Sequence, residues 1–236
     1  MSNYDKSAEV YDAIYATKKD YAKEADKVHA IIQEYKQSND NDLLDVACGT
    51  GLHAAALLQW YNVEGLDLSE SQLTVARRRL PNIQFYHADM TDFELGKRYD
   101  VVISLFSAIG ELLDIEQVNS AVKTMAKHLK PGGVLIIEPW LRPEQFHPNR
   151  IWTEFIEEPE LKIARMTIAR RHGKIVELAM HYMVGRPGKI EKFIERHQEA
   201  LHTVDEYINA FQQAGLVVSY DKEGLIGRGL FIGSKP

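Results

Sequence analysis

The chain has 236 residues, 45% of them hydrophobic, which is enough for one well-buried core and long for a minimal domain. Its net charge of −6 and pI near 5.9 argue against nucleic acid or an anionic membrane as partner, because attraction to phosphate needs a basic surface. The single cysteine, Cys48, excludes an intramolecular disulfide and suits a cytoplasmic protein. The start, MSNYDKSAEV, lacks the apolar core of a signal peptide, no apolar run approaches a membrane span, and the histidines show no metal-ligand spacing, so neither membrane nor metal is expected.

In chain order, Ala22, Ala25, Val28, Ile31, Ile32 and Tyr35 form a helical stripe between Asp20 and Lys36. A short buried strand, Leu43 to Ala47, runs into Cys48-Gly49-Thr50-Gly51 and an alanine-rich helix from Leu52 to Trp60. A second strand, Val63 to Leu66, ends at Asp67, and Ser69 with Gln72 caps a helix that stops before Pro81. Ile83 to His87 and Asp100 to Leu105 are the third and fourth strands. Asp114 and Gln117 open a helix burying Val118, Val122, Met125 and Leu129, and Val134 to Ile137 is a fifth strand. Alternating helices and near-continuously apolar strands predict an α/β fold, a parallel sheet covered on both faces.

The rhythm breaks after Pro139. Leu161 to Arg170, Lys174 to Val184 and Lys189 to Leu201 are strand-like and joined by short turns, which predicts a three-strand antiparallel meander. Thr203 and Glu206 cap a final helix, and Leu216 to Tyr220 and Leu230 to Gly233 close the chain as strands. The expected organisation is one domain over residues 1–236, with the meander inserted at about 155–201 after strand five. Exposed strand edges would allow a homodimer.

Glycines directly after a parallel strand let the backbone approach a ligand that a side chain would exclude. The pattern Gly49-x-Gly51-x-x-Ala54 also fits the dinucleotide fingerprint, and a ligand-free tight turn would read the same way. Asp67 ends the second strand, where a carboxylate can accept both ribose hydroxyls. Asp89 and Met90 follow the third strand, offering an acid and an apolar surface to an adenine. Asp45 precedes the glycines, near the space of a methionine ammonium. Asp67 serves either cofactor, and each acid alone would suit a helix cap, but the combination favours S-adenosylmethionine (SAM) over NAD.

The Asp45–Gly51 run, the Gly65-Leu66-Asp67-Leu68-Ser69 loop and the Ala88-Asp89-Met90-x-Asp92-Phe93 segment resemble class I SAM-dependent methyltransferases over roughly residues 20–140. The resemblance implies a Rossmann-like seven-stranded, mostly parallel sheet whose last strand is antiparallel, with S-adenosyl-L-homocysteine (SAH) as product and no metal. It places Ala47, Gly49 and Gly51 against the methionine moiety and Asp67 with Leu68 at the ribose. Asp89 and Met90 fall at the adenine, and the Leu105 carbonyl near the methionine amine.

Matches outside that core extend the likeness across nearly the whole chain, to bacterial nucleotide-linked amino-sugar N-methyltransferases of the desosamine and mycaminose type. They are Tyr11-Asp12, Lys19-Asp20-Tyr21, His53, Phe106-Ser107-x-Ile109-Gly110, Glu138-Pro139-Trp140, His181-Tyr182 and Gly227-Arg228-Gly229-Leu230-Phe231. The implied partner is a small molecule, a nucleotide-linked (dTDP-linked) amino sugar. The catalytic candidates are Tyr4 and Glu111. Tyr4 matches a family tyrosine and reads either as a partner of the amino group or as a surface residue. At Glu111 the chain departs from the His or Tyr of relatives, and the carboxylate reads either as a partner of the ammonium or as a solvated acid before a helix. Tyr11 and Tyr21 are candidates for the SAM carboxylate; Ser107, Trp140, Arg165, Tyr182 and Arg228 are candidates for the acceptor, Arg228 at its pyrophosphate. Period-two alternation puts Val176, Leu178, Met180, Tyr182 and Val184 on one face of the middle meander strand and His181 on the other. Methylation of another small amine or hydroxyl, and SAM binding without turnover, are the alternative readings.

Overall fold

The computed structural model describes residues 8–236; Tyr4 lies outside the described residues. Two helices lead in, α1 (Ala8–Lys18) and α2 (Tyr21–Tyr35), the second capped by Asp20, whose carboxylate accepts the Lys23 N–H at 3.0 Å. Then come β1 (Asp42–Val46), α3 (Leu52–Leu57), β2 (Asn62–Asp67), α4 (Glu70–Arg79), β3 (Phe85–His87) and β4 (Tyr99–Ser104). A 3-10 turn (Ala108–Glu111) precedes α5 (Ile115–Lys127) and β5 (Leu129–Ile137). Reciprocal capping boxes start α5, from Asp114 and Gln117, and α6 (Val204–Gln213), from Thr203 and Glu206. The strands β10 (Val217–Asp221) and β11 (Leu230–Ser234) complete the main sheet.

That sheet has seven strands in the order β10-β11-β5-β4-β1-β2-β3. Neighbours from β5 to β3 are parallel, and β11 runs antiparallel to both β5 and β10. Every residue of β4 is buried, which explains its continuous apolar run. The α5 residues Val118, Val122 and Met125 meet Tyr207 and Phe211 of α6 on one face; Val28 and Ile32 of α2 pack with Leu57 on the other. Because the chain moves outward from β1 to β3 and returns at β4, the order reverses between β1 and β4. The carboxyl ends of those two strands therefore open a crevice in which open α/β sheets hold ligands.

The second sheet differs from expectation by one strand. It has four antiparallel strands, β6 (Ile151–Glu157), β7 (Lys162–His172), β8 (Ile175–Arg186) and β9 (Lys189–Ala200), in sequential order. The missed β6 is an edge strand in which only Glu154 and Ile156 are buried, so its apolar residues do not mark one face. The predicted face of β8 does turn inward: Val176, Leu178, Tyr182 and Val184 are buried, and His181 is exposed. Tyr182 and Val184 pack with Val10 and Ile14 of α1, and Val176 and Leu178 with Trp140 and Phe146.

Candidate active site

At the carboxyl ends of β1, β2 and β4 lies a cavity of about 380 Å³. Its floor is the turn after β1, where Ala47 (φ 58°) and Gly49 (φ 55°) are both left-handed. A left-handed alanine is strained, as backbone at a ligand site often is. Gly51 (φ 77°) points elsewhere: a Cβ there would face Ala76, Leu80 and Phe85 at ordinary contact distances, so this glycine serves the left-handed start of α3 and not the cavity.

Two acids stand over the turn. Asp67 accepts the Gly49 N–H at 2.7 Å and the Ser69 N–H at 2.8 Å; burial pushes its carboxyl up to about 6 despite those bonds. Asp45 is 2% exposed, and its Oδ2 is buried without a hydrogen bond among the described residues. Burial first, and the Asp67 charge second, push Asp45 up to about 8. A buried carboxylate oxygen with no donor is costly unless a cation meets it. Farther along the wall are Leu68, Asp89 and Met90; Asp89 is exposed and folds its own turn by accepting from the Thr91 N–H and hydroxyl at 2.8 and 2.7 Å.

The opposite wall comes from the end of β4. Leu105, Phe106 and Ser107 line the cavity, the last two left-handed at φ 56° and 72°. The Phe106 N–H donates to the buried Glu138 carboxylate at 2.7 Å. Helix α1 supplies Tyr11 and is clamped to the glycine turn: Asp12 accepts the Thr50 hydroxyl at 2.7 Å and two bonds from Arg79, which also donates to the Thr50 carbonyl. Tyr21 lies against His53, and both line the cavity. His53 is bonded to Glu24 at 2.9 Å, and Glu24 also pairs with Lys19 at 2.9 Å. Burial, opposed by the Glu24 bond, holds His53 below its usual range.

One end of the cavity is acidic, with Glu111 from the 3-10 turn and Glu199 from β9. Arg228 lies next to it, donating to the Ser107 hydroxyl, with its guanidinium 5.8 Å from the Phe106 ring centre. Arg142, 9% exposed, holds that loop by donating to the Arg228 carbonyl at 2.8 Å and the Tyr220 hydroxyl at 2.7 Å.

Thus Tyr11, Tyr21, Asp45, Ala47, Gly49 and Asp67 gather on one cavity, together with Leu68, Asp89, Met90, Leu105, Ser107 and Glu111. Gly51, Trp140, Arg165 and Tyr182 do not reach it. Trp140 is buried against Phe146. Arg165 donates to Glu154 and Tyr15, both at 2.9 Å, and to the Tyr182 hydroxyl at 3.4 Å. Tyr15 in turn packs on Tyr11 and Phe106, so Arg165 braces the wall from behind. Glu24, Arg142 and Glu199 were not singled out from the sequence, where each reads as a solvated charge.

The donor set fits SAM. Asp45 offers an unmet carboxyl oxygen to a methionine ammonium, Asp67 retains lone pairs for ribose hydroxyls, and apolar Leu66, Ala88 and Leu105 flank them. Among the described residues no group of His, Cys, Asp and Glu could hold a metal ion, and no helix is long and apolar enough to cross a membrane. Fold and site together define a Rossmann-like, SAM-dependent methyltransferase.

Comparison with known proteins narrows the class. Residues 43–133 match the methyltransferase domain family. The dTDP-3-amino-3,4,6-trideoxy-alpha-D-glucopyranose N,N-dimethyltransferase of Streptomyces venezuelae is 39% identical over 229 residues, 96% of each chain. The dTDP-3-amino-3,6-dideoxy-alpha-D-glucopyranose N,N-dimethyltransferase of Streptomyces fradiae is 38% identical over 96% of this chain and 89% of its own. Among solved structures, Streptomyces venezuelae DesVI superposes with a TM-score of 0.93 at 38% identity, covering 98% of this chain and 99% of that one. A SAM-bound amino pentose methyltransferase from Micromonospora echinaspora gives 0.87 at 34% identity, covering 96% and 97%. The chain belongs to the SAM-dependent amino-sugar N-methyltransferase family.

Proposed function

We propose that the protein transfers methyl groups from SAM to the amino nitrogen of a dTDP-linked amino-deoxysugar, leaving SAH. The observation that carries this reading is the polarity of one cavity. Its cofactor acids, Asp45 and Asp67, share it with the carboxyls Glu111 and Glu199, and Arg228 stands beside them. Carboxyls suit an ammonium; an arginine suits a pyrophosphate, which accepts bidentate charge-assisted bonds. The relatives named above act on such sugars, and their likeness spans the second sheet as well as the first.

SAM supplies a methyl already activated on a positive sulfur, so the chain's own residues need only bind, orient and move a proton. Asp67, with Leu68, holds the ribose; Asp45 and the Leu105 carbonyl take the ammonium of the methionine end. Ala47 and Gly49 line that end, Tyr11 and Tyr21 take the carboxylate, and Asp89 with Met90 holds the adenine. Ser107 and Arg228 orient the acceptor, while Tyr4 and Glu111 stay assigned to its amino group. Arg165, Tyr182 and Trp140 act from behind the wall. Fixing the amine in line with the methyl supplies up to about 7–11 kcal/mol in favourable cases.

We treat residues 1–236 as one catalytic unit working in the cytosol, where Cys48 stays reduced. The outward face of the second sheet exposes Ile151, Phe155, Met166, Ile190 and Ile194, which supports self-association as a homodimer through that face.

The test is mass spectrometry of a panel of dTDP-linked amino sugars after incubation with SAM. One or two added methyl groups on one of them is the expected result. Methylation of only small amines or phenols lacking the nucleotide would reject the acceptor class.

A further inference from the structure

The inward positions toward the C-terminal end of β9 are polar: Glu195, His197 and Glu199 are 7%, 1% and 8% exposed. Of the three, only Glu199 reaches the cavity. Its Oε2 is buried without a hydrogen bond among the described residues. The carboxyl sits in the notch left by Gly110, where an added Cβ would lie 2.5 Å from Glu199 Oε2 and 2.6 Å from the Trp140 Cβ. That packing fixes the carboxyl from behind.

The charged and titratable groups around it come from several elements. Glu111 faces it from the 3-10 turn, Arg228 from the loop before β11, and Tyr207 from α6. His202, just past β9, packs on Tyr207 and is bonded to the Leu112 carbonyl at 2.8 Å; His197 is the next inward residue of β9 itself. Burial first, then the Glu111 charge, raise Glu199 well above the usual carboxylate range, and Arg228 only partly opposes them. An acid of that kind is better matched to an ammonium than an ordinary carboxylate, so proton transfer between them is less uphill.

Resting on the amine-acceptor reading, we propose that Glu199 is a second carboxyl of the acceptor site, which contacts the acceptor's ammonium and takes its proton, with Glu111 as its neighbour in the cavity. Arg228 and the bound ammonium favour the ionised carboxyl, which accepts one N–H proton, and the freed lone pair forms the N–C bond to the methyl. The C–S bond breaks as that bond forms, its electron pair staying on sulfur. The methylated nitrogen is again an ammonium, and Glu199, once its proton has passed to solvent, takes the next one. The same group therefore serves both methyl transfers.

The experiment compares kcat/KM of wild type, Glu199→Gln and Glu199→Asp across pH on the sugar nucleotide found by mass spectrometry, with SAH affinity measured by calorimetry. Failure of the wild type on every nucleotide sugar would overturn the acceptor reading, and this assignment with it. With an active wild type, Glu199→Gln should lose roughly 100-fold at about pH 7. The gap should narrow as pH nears the amine's own pKa, about 10 for a simple alkylamine, because free base no longer needs a proton acceptor. SAH affinity should not change. A loss that is constant at every pH, or no loss at all, overturns the assignment while leaving the acceptor reading intact. Should Glu199→Gln not fold, Glu199→Asp carries the same test: a reduced rate with the wild-type pH profile and SAH affinity supports the role, and an unchanged rate contradicts it.

Discussion

Asp67 reaches back across the turn after β1 and accepts the backbone N–H of Gly49 at 2.7 Å, so the acid at the end of β2 and the turn at the end of β1 form one unit. Since Asp67 also accepts from Ser69, each of its oxygens is oriented by the backbone before any ligand arrives. Asp67→Asn loses the charge and one acceptor oxygen. SAH affinity should fall about 10- to 100-fold, or roughly 1.4–2.8 kcal/mol. Calorimetry at constant pH checks this, and wild-type affinity would remove Asp67 from the cofactor site.

Asp45 gives a proton-linkage prediction. Burial raises it to about 8, so near pH 7 it is mostly protonated in the free enzyme. A cation bound against it favours the ionised form, so SAH binding should release a proton near pH 7 and release less as pH rises past 8. The observed heat should therefore depend on the ionisation enthalpy of the buffer, and Asp45→Asn should abolish that dependence. A buffer-independent heat in the wild type would show that no ammonium meets Asp45.

The parallel sheet was legible because its strands are buried on both faces and because Ser69, Asp114 and Thr203 cap helices where they stand. The second sheet was harder to read. An edge strand such as β6 has most of its residues in solvent, so its apolar positions carry no period. Of the candidate site, Asp45, Asp67 and Asp89 were legible because they stand at or next to the carboxyl ends of β1, β2 and β3. Glu199 was not: β9 turns Ile190 and Ile194 outward and Glu195, His197 and Glu199 inward, so its alternation points away from the buried carboxyl. Arg165 and Tyr182 shared an inward face with the site, but the intervening Tyr15 keeps them one layer away. The left-handed backbone of Ala47, Phe106 and Ser107 has no signature in residue type.

Gly65, on β2, tests packing under the site. A Cβ there would lie 2.6 Å from the Phe85 ring and 2.8 Å from the Cys48 sulfur. Gly65→Ala should lower stability by about 1–3 kcal/mol through overpacking, seen as a fall of several degrees in Tm. An unchanged Tm would mean that β2 and β3 separate easily.

Arg228 tests the division of the cavity. Arg228→Ala should raise KM for the sugar nucleotide by roughly 10- to 100-fold, the range expected for lost charge-assisted bonds. SAH affinity should stay unchanged. If SAH affinity falls instead, Arg228 belongs to the cofactor half.

The nitrogen destination of the methyl group is the central claim. Transfer from SAM carrying a carbon-13 methyl, followed by NMR of the product, reads it directly. The account predicts a labelled carbon correlated with the ring proton beside the amino nitrogen. A label on a hydroxyl oxygen, or on no sugar nucleotide at all, would contradict it.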